Sequence, residues 1–249
     1  MKKKRSLEDS ERELRLDLAA CYRLIAHFGW DDLIYTHITC RLMQDTSHFL
    51  INPFGMMFDE ITASSLVKID MDGNKVEYSE WPVNPAGFVI HSAIHQGRED
   101  IRCVLHAHTV ATVAVSSLAC GLLPLSQHAM LLFQRIGYHD YEGISVNEGE
   151  RQRLQDDMGL NNVMFLRNHG VLVAGATVAE AFQTFYFLQR ACEIQVRVMG
   201  CVSETVTIKP EVQMAVIEQY WQANLGKGAQ LAWPGLLRKL DRIDPTWRE

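Results

Sequence analysis

The sequence lacks long apolar runs, and this absence excludes a membrane-spanning helix. No apolar run approaches the roughly 18–20 residues that such a helix needs. A secretion signal is also missing, because the basic residues 2–5 are followed by the charged stretch 7–11 rather than by an apolar core. No C-x-x-C pair occurs, and the six dispersed cysteines are typical of reduced, mostly buried thiols. We therefore expect a cytoplasmic protein.

Positive charge is also in short supply. With 24 lysines and arginines against 30 acidic residues, the net charge of −6 argues against nucleic acid or an anionic membrane as a partner. Neither an internal repeat nor a low-complexity tract is present. A chain of 249 residues that is 47% apolar can bury a large core. We predict one domain over residues 1–249, with residues 1–7 disordered and residues 202–249 forming a C-terminal helical extension.

The sequence does contain a pattern of helices and short strands. Apolar residues spaced three and four apart predict helices, and short apolar runs bounded by turn residues predict strands. The predicted helices are Glu8–Phe28, Pro85–Gly97, Thr109–Leu118, Asn147–Met158, Thr177–Met199, Pro210–Asn224 and Leu231–Leu240. The predicted strands are Tyr35–Arg41, His48–Ile51, Ser64–Ile69, Lys75–Tyr78, the run through His106 and His108, Val163–Arg167 and Val171–Ala174. This pattern indicates a mixed α/β protein whose antiparallel or mixed sheet is covered by helices.

Three histidines form the most informative pattern. His106 and His108 follow an apolar strand-like run, and residues two apart in a strand project from the same face. His169 follows a second such run. Three neutral imidazoles with an open fourth position are typical of a catalytic metal rather than a structural one. The alternative is a group of core histidines held by hydrogen bonds.

Five ordered stretches of the sequence carry a resemblance to a known family. They are NPAGFVIHSAIHQ at 84–96, VLHAHTVATVAVSSLACGLLPLSQ at 104–127, YHDYEG at 138–143, LRNHGVLVAG at 166–175 and ACEIQVR at 191–197. Together they resemble the class II aldolase/adducin family over roughly residues 14–201. The residues of these stretches are more similar to those of the adducin head domain and its bacterial relatives than to those of the sugar-phosphate aldolases.

The resemblance implies a three-layer α/β/α fold with a central, mainly antiparallel sheet. It also implies a homotetramer with active sites between neighbouring subunits. In the aldolases of the family, three histidines hold a divalent metal, usually zinc, and their positions match His106, His108 and His169. The resemblance therefore implies a Zn²⁺ site here, with Mn²⁺ or Fe²⁺ as alternatives, at which a substrate carbonyl would be polarised.

The sequence departs from the family pattern in one pocket. Where the aldolases carry a catalytic glutamate, this chain has Gly87, which can neither bind a metal nor transfer a proton. Two serines that help to bind the substrate phosphate are lost from the same run. HIT at 37–39 replaces Asn-Ile-Ser, and NPFG at 52–55 replaces Thr-Pro-Ser-Gly. We therefore expect sugar phosphates to be poor substrates.

Several residues are candidates for roles in this altered pocket. His128 and His91 are candidates for the missing proton transfer, and a structural role is the alternative for His91, which lies one helical turn after Gly87. Tyr141 could reach the site of a neighbouring subunit. The candidates for substrate binding are Asn52, Gly55, His37 and Gly87.

Two functions fit the sequence. The first is a metal-dependent lyase that cleaves a C–C bond of a small oxo- or hydroxy-acid, by decarboxylation or by an aldol-type route. The second is a non-catalytic, adducin-like binding or scaffold protein that keeps the fold and the metal site. Metal content discriminates between them, because tightly bound stoichiometric metal favours the enzyme.

Overall fold

The computed structural model describes residues 7–43, 45–143, 149–222 and 227–249. Most of the helices begin and end within a few residues of the predicted bounds. The α-helices of the described residues are α1 (Leu7–His27), α2 (Pro85–Gly97), α3 (Val110–Ser116), α4 (Gln127–Met130), α5 (Glu150–Met158), α6 (Val178–Met199), α7 (Pro210–Gln222) and α8 (Gly228–Ile243). A 3₁₀ helix follows at Pro245–Arg248.

One mixed sheet runs through the centre of the structure. Its strands are β1 (His37–Arg41), β2 (His48–Ile51), β3 (Val67–Asp70), β4 (Cys103–Ala107), β5 (Ile136–His139), β6 (Val163–Leu166) and β7 (Gly170–Gly175). They lie in the order β3-β2-β1-β4-β7-β6-β5. Every neighbouring pair is antiparallel except β5 with β6. The sheet is therefore mainly antiparallel, as predicted.

Side chains alternate between the two faces of the sheet, and each face packs against helices. On β4, Cys103 and Leu105 join the large cluster formed with α1, α3, α6 and α8. Val104 points the other way, into a smaller cluster with apolar residues of α2 and α5. Helices cover both faces, which confirms the three-layer α/β/α architecture.

The same alternation decides where the polar side chains of the central strands lie. His37 and Thr39 of β1 project from the face that α2 covers, because Ile38 and Cys40 belong to the cluster on the opposite face. His37 is paired across the strands with His106 of β4. A row of buried polar groups therefore lies between the sheet and helix α2.

One prediction of secondary structure is wrong, and one strand of the sheet was missed. The hairpin of Ser64–Ile69 with Lys75–Tyr78 is not formed, since only an isolated bridge joins Ile69 to Lys75. Here the Asp70 carboxylate accepts hydrogen bonds from the backbone of Asp72 and Asn74, which favours a tight turn over a paired second strand. Strand β5 was not predicted at all. The predicted ends at Asn147 and Asn224, and the basic residues 2–5, lie outside the described residues.

The segment after α6 packs into the main cluster. Trp233, Leu240 and Trp247 are all buried there. The backbone N–H of Ala63 donates to the carbonyl oxygen of Trp247, which ties the 3₁₀ helix to the loop before β3. Within the part of the chain that the structure covers, none of the helices combines the length and apolar character that crossing a bilayer requires.

Candidate metal centre

The three predicted histidines are brought together at one end of the central strands. His106 lies in β4 and His108 directly follows that strand, whereas His169 lies in the turn between β6 and β7. This turn contains Asn168 with a positive φ of 60°, a conformation that asparagine tolerates better than most residues. A Cβ at Gly170 would stand 2.5 Å from the carbonyl oxygen of Ala107. The missing side chain at residue 170 lets the turn approach β4 closely.

The Nε2 atoms of the three rings converge on one point. Nε2 of His108 lies 2.7 Å from Nε2 of His106 and 2.9 Å from Nε2 of His169. Nitrogen ligands of a tetrahedral zinc site, at bonds of about 2.0–2.1 Å, stand about 3.3 Å apart. Both distances from His108 are slightly shorter than this, and all three ligand nitrogens lie within 4.8 Å of one another, so the donor set fits a divalent ion after a small outward movement.

The second nitrogen of two of these rings is held by a neighbour. Nδ1–H of His106 donates to the carbonyl oxygen of Val171 at 3.0 Å. Nδ1–H of His108 donates a hydrogen bond to a carboxylate oxygen of Asp32 at 3.1 Å. Both contacts place the proton on Nδ1, so the lone pair of Nε2 faces the centre, as metal binding requires.

Burial keeps these imidazoles neutral. It lowers the pKa of His106 well below the usual range, and the neighbouring histidines lower it further. Burial also lowers the pKa of His169, to about 4, with His108 as the second cause. The pKa of His108 is lowered by burial although Asp32 opposes the shift. Neutral imidazole is the form of histidine that binds metal. His106, His108 and His169, called the trio below, can therefore bind a cation at neutral pH.

His37 lies beside the trio and fills the space next to Gly87. A Cβ at Gly87 would meet three atoms of the His37 ring at 2.8 Å. The His37 ring is 2% exposed, and its centroid is 5.1 Å from that of His106. Neither of its ring nitrogens has a hydrogen-bond partner among the described residues. Burial, followed by His91, lowers the pKa of His37 well below its ordinary value.

His91 lies behind His37 as seen from the trio. The ring centroids of His91 and His37 are 4.3 Å apart. Oγ1 of Thr39 lies 2.7 Å from Nδ1 of His91 and 2.9 Å from Nε2 of His95, so one hydroxyl joins two buried rings. The structure thus places His91 one layer away from the trio, in a hydrogen-bonded position within the protein.

A cavity of about 420 Å³ opens onto the trio. His37 lines it together with Phe54, Tyr35, Ile90 and Tyr141. Tyr141, the candidate that could reach the site of a neighbouring subunit, has its ring 6.4 Å from that of His169 in the same chain. Asp32, Phe54 and Ile90 were not predicted as site residues.

Three other candidates lie away from the cavity lining. Asn52 is 3% exposed, and its side-chain oxygen accepts a hydrogen bond from the hydroxyl of Tyr22 at 2.9 Å. Gly55 packs against the ring of Trp81. His128 lies on α4, with its ring 6.0 Å from that of Phe187 on α6. Within one chain, the structure does not bring these three residues to the trio.

Comparisons with known proteins identify the family to which the chain is similar. Residues 16–196 match the family model described as the Class II Aldolase and Adducin N-terminal domain. A protein of Pseudomonas aeruginosa named "putative aldolase class 2 protein" is 49% identical over 243 residues, covering 96% of this chain and 93% of its own length. Rat alpha-adducin is 48% identical over 196 residues, which are 78% of this chain but 26% of the adducin.

Solved structures show the same fold. An aldolase II superfamily protein from Pseudomonas syringae superposes with a TM-score of 0.92 at 45% identity, with 96% of each chain covered. An L-fuculose 1-phosphate aldolase from Glaciozyma antarctica gives a TM-score of 0.86 at 24% identity, covering 100% of this chain and 97% of that one. At that identity the second match shows a shared fold alone.

Proposed function

The chain belongs to the class II aldolase and adducin family, and from that premise we propose that it is a divalent-metal-dependent lyase acting on a small oxo- or hydroxy-acid. The observation that carries the proposal is the convergence of Nε2 of His106, His108 and His169 at the end of a cavity. Zn²⁺ suits this donor set best, and Mn²⁺ and Fe²⁺ also accept imidazole. When bound, the ion would act as a Lewis acid on a substrate oxygen.

The side chains around the trio would orient the substrate. His37 lines the cavity, is almost fully buried and can donate an N–H to a substrate oxygen, because its ring nitrogens are not engaged by the described residues. Asp32 would hold His108 in the tautomer that exposes Nε2 to the centre. Tyr141, which is 58% exposed, stands at the open side of the cavity. These residues bind and position the substrate.

Decarboxylation suits this pocket better than aldol cleavage. Aldol cleavage needs a base to remove a hydroxyl proton, and Gly87 offers no side chain for it. In a 3-oxo acid the bond to the carboxylate can break with its electron pair moving into the neighbouring carbonyl, so that CO₂ leaves without such a base. We therefore place decarboxylation first among the lyase reactions of this chain.

An adducin-like binding protein is the second candidate, and the similarity to alpha-adducin supports it. The chain spans about a quarter of the length of that adducin. A scaffold would keep the fold and the metal site without turnover, and its stability would not depend on a bound metal. The two candidates therefore differ in metal content and in the effect of chelation.

Elemental analysis of the native protein, followed by a screen of oxo- and hydroxy-acids for CO₂ release, tests the proposal. About one tightly bound divalent ion per chain and turnover lost on chelation are expected. Fuculose 1-phosphate serves as the comparison substrate and should react poorly. A metal-free protein whose unfolding is unchanged by chelator would favour the scaffold instead.

We also propose a homotetramer in the cytoplasm. The family match supports an oligomer. The free cysteines, four of them buried, support a reducing compartment. Light scattering coupled to size-exclusion chromatography measures the number of chains directly, and a monomeric mass would contradict the tetramer.

A further inference from the structure

The lining of the cavity at the trio combines two kinds of side chain. The imidazoles of His37 and the trio form its polar part, and the side chains of Phe54, Ile90, Tyr35 and Tyr141 form an apolar or aromatic part. A volume of about 420 Å³ lies at the small end of the usual range for ligand pockets, roughly 300–1,000 Å³. This composition suits a small molecule with a polar head and an apolar tail.

Lysine and arginine are missing from the described lining of the cavity. Recognition of a phosphate normally uses such side chains, often arginine in a paired geometry, or the free N–H groups at the start of a helix. A phosphorylated tail would therefore find neither side chain among these lining residues.

The beginning of helix α2 does not replace the missing cations. It adjoins the cavity through Asn84, which lines it. The backbone N–H of Gly87 donates to the side-chain oxygen of Asn84 at 3.5 Å, and that of Phe88 donates to the carbonyl oxygen of Asn84 at 3.2 Å. The Phe88 bond is the ordinary one within the helix, and the N–H of Gly87, which could otherwise bind a phosphate, is directed to the side chain of Asn84.

His37 gives independent evidence that a ligand belongs here. His37 is only 2% exposed, and it lines the cavity. Both of its ring nitrogens lack a hydrogen-bond partner among the described residues. Buried polar groups are nearly always hydrogen-bonded, so this ring is suited to a ligand atom. A neutral imidazole offers one donor and one acceptor, which matches a hydroxyl or carbonyl group rather than a phosphate dianion.

We propose that the ligand of this cavity is an unphosphorylated hydroxy- or oxo-acid with an apolar tail. The acid head lies at the trio, a hydroxyl or carbonyl oxygen meets His37, and the tail packs against Phe54 and Ile90. The position of the head rests on the proposed function, whereas the preference for the tail rests on the lining residues alone.

Three 2-hydroxy acids with the same head test the preference. Glycolate has no tail, 3-phenyllactate has an apolar tail, and 3-phosphoglycerate has a phosphorylated tail. Calorimetric titration into zinc-loaded protein and into chelator-treated protein gives six dissociation constants. We expect 3-phenyllactate to bind at least tenfold more tightly than glycolate, and 3-phosphoglycerate to bind no more tightly than glycolate. The order should be the same with and without zinc.

A matched pair of variants locates the tail. Phe54→Ala should raise the dissociation constant of 3-phenyllactate about tenfold and leave that of glycolate unchanged. Tyr78→Ala removes an aromatic ring that is 97% exposed and does not line this cavity, so it should change neither. Equal losses for both acids in Phe54→Ala would contradict the placement of the tail.

The outcomes separate this inference from the proposed function. If zinc is bound but 3-phosphoglycerate binds most tightly, the inference is wrong and the proposed function stands. If the protein binds no zinc yet still prefers 3-phenyllactate, the proposed function is wrong and the inference stands. If none of the acids binds to either form, both are overturned.

Discussion

The imidazole of His37 occupies the space into which a side chain at Gly87 would project. Three ring atoms lie 2.8 Å from the position of a Cβ on that glycine, a distance that real Cβ contacts essentially never show. His37 belongs to β1 and Gly87 to the first turn of α2, so the two residues fix how closely the helix approaches the sheet. The space beside the backbone of residue 87 is thus filled by an imidazole from another element.

Adding a methyl group at Gly87 should therefore destabilise the protein. Gly87→Ala is expected to lower the free energy of unfolding by about 1–3 kcal/mol, the usual cost of overpacking. In the His37→Ala background the same change should cost much less, since the obstructing ring is gone. Urea unfolding of the four proteins gives a coupling energy, which should be about 0.5–3 kcal/mol for residues in contact.

Gly235 provides the control for this cycle. It lies inside α8, and the nearest atom to a Cβ built there is 3.7 Å away. Gly235→Ala should stabilise the protein by up to about 1 kcal/mol through helix propensity. Additive effects of His37→Ala and Gly87→Ala would show that the two side chains do not compete for the same space.

Removing one ligand from the trio should remove the metal. His108→Ala and His169→Ala are preferable to a change at His106, because both rings are partly exposed and the core is disturbed less. Each variant should retain well under one equivalent of metal by elemental analysis, and zinc should no longer raise its unfolding free energy. For the parent protein that increase is about 2.7 kcal/mol at a free-metal concentration one hundred times Kd.

His128→Ala is the matched control, since its ring contacts Phe187 rather than the trio. It should keep full metal content. If His108→Ala still carries stoichiometric metal, the trio is not the binding site. Loss of turnover in His128→Ala with metal retained would return that residue to the list of catalytic candidates.

Asp32 should control metal affinity without touching the ion. Asp32→Asn removes the charge that holds Nδ1–H of His108, so zinc affinity should fall roughly 10–100-fold, as for comparable partners of metal-bound histidines. Competition with a chromophoric chelator measures this change. Asp31→Asn alters the same loop and the same net charge, and it should leave the affinity close to that of the parent. Equal effects of the two substitutions would mean that zinc affinity depends on the overall charge of the protein and not on the contact between Asp32 and His108.

The metal-free protein should lose stability as the pH falls. Burial, followed by Arg41, lowers the pKa of His95 to about 3 from an ordinary value of 6.5. Between these values the unfolded state binds more protons than the folded state, so stability rises with pH up to about 6.5 and is lost progressively below it. One such group changes the free energy of unfolding by about 1.4 kcal/mol per pH unit.

Unfolding of chelator-treated His95→Gln between pH 6.5 and 4 tests this linkage. The slope should be shallower than that of the parent by about one proton, while the other buried histidines keep the remainder. His27→Gln removes an exposed imidazole and should change the slope much less. An unchanged slope in His95→Gln would show that His95 does not contribute to the acid sensitivity.

Local patterns were sufficient to predict many elements and not others. Helix Pro85–Gly97 and strand His48–Ile51 have the predicted bounds, because each has a clear start signal and a regular apolar pattern. Strand β5 was missed, since Gly137 weakens its pattern and its stability comes from parallel pairing with β6. Pairing across the sheet is not visible in a four-residue segment.

The candidate site was likewise predicted only in part. The spacing of His106 and His108 predicted that their rings share a face, and His169 was predicted from its place after a second strand-like run, which the resemblance then supported. The role of Asp32 could not be predicted, because its contact with His108 joins residues 76 positions apart. Likewise, the competition between His37 and Gly87 depends on how β1 and α2 pack together. The sequence thus predicted which rings gather and named His37 for the same pocket, but it gave no signal for the contact of Asp32 or for the contact between His37 and Gly87.

The burial of Trp233, Leu240 and Trp247 against α1 and α6 has a practical consequence for work on this family. The region that matches the family model stops at residue 196, before any of these side chains. A fragment cut at that boundary would expose the surface they cover to water and would lose the contact of residue 63 with the 3₁₀ helix. Fragments designed from family boundaries alone would therefore be prone to aggregate, and the C-terminal helices must be kept for any measurement on the metal centre.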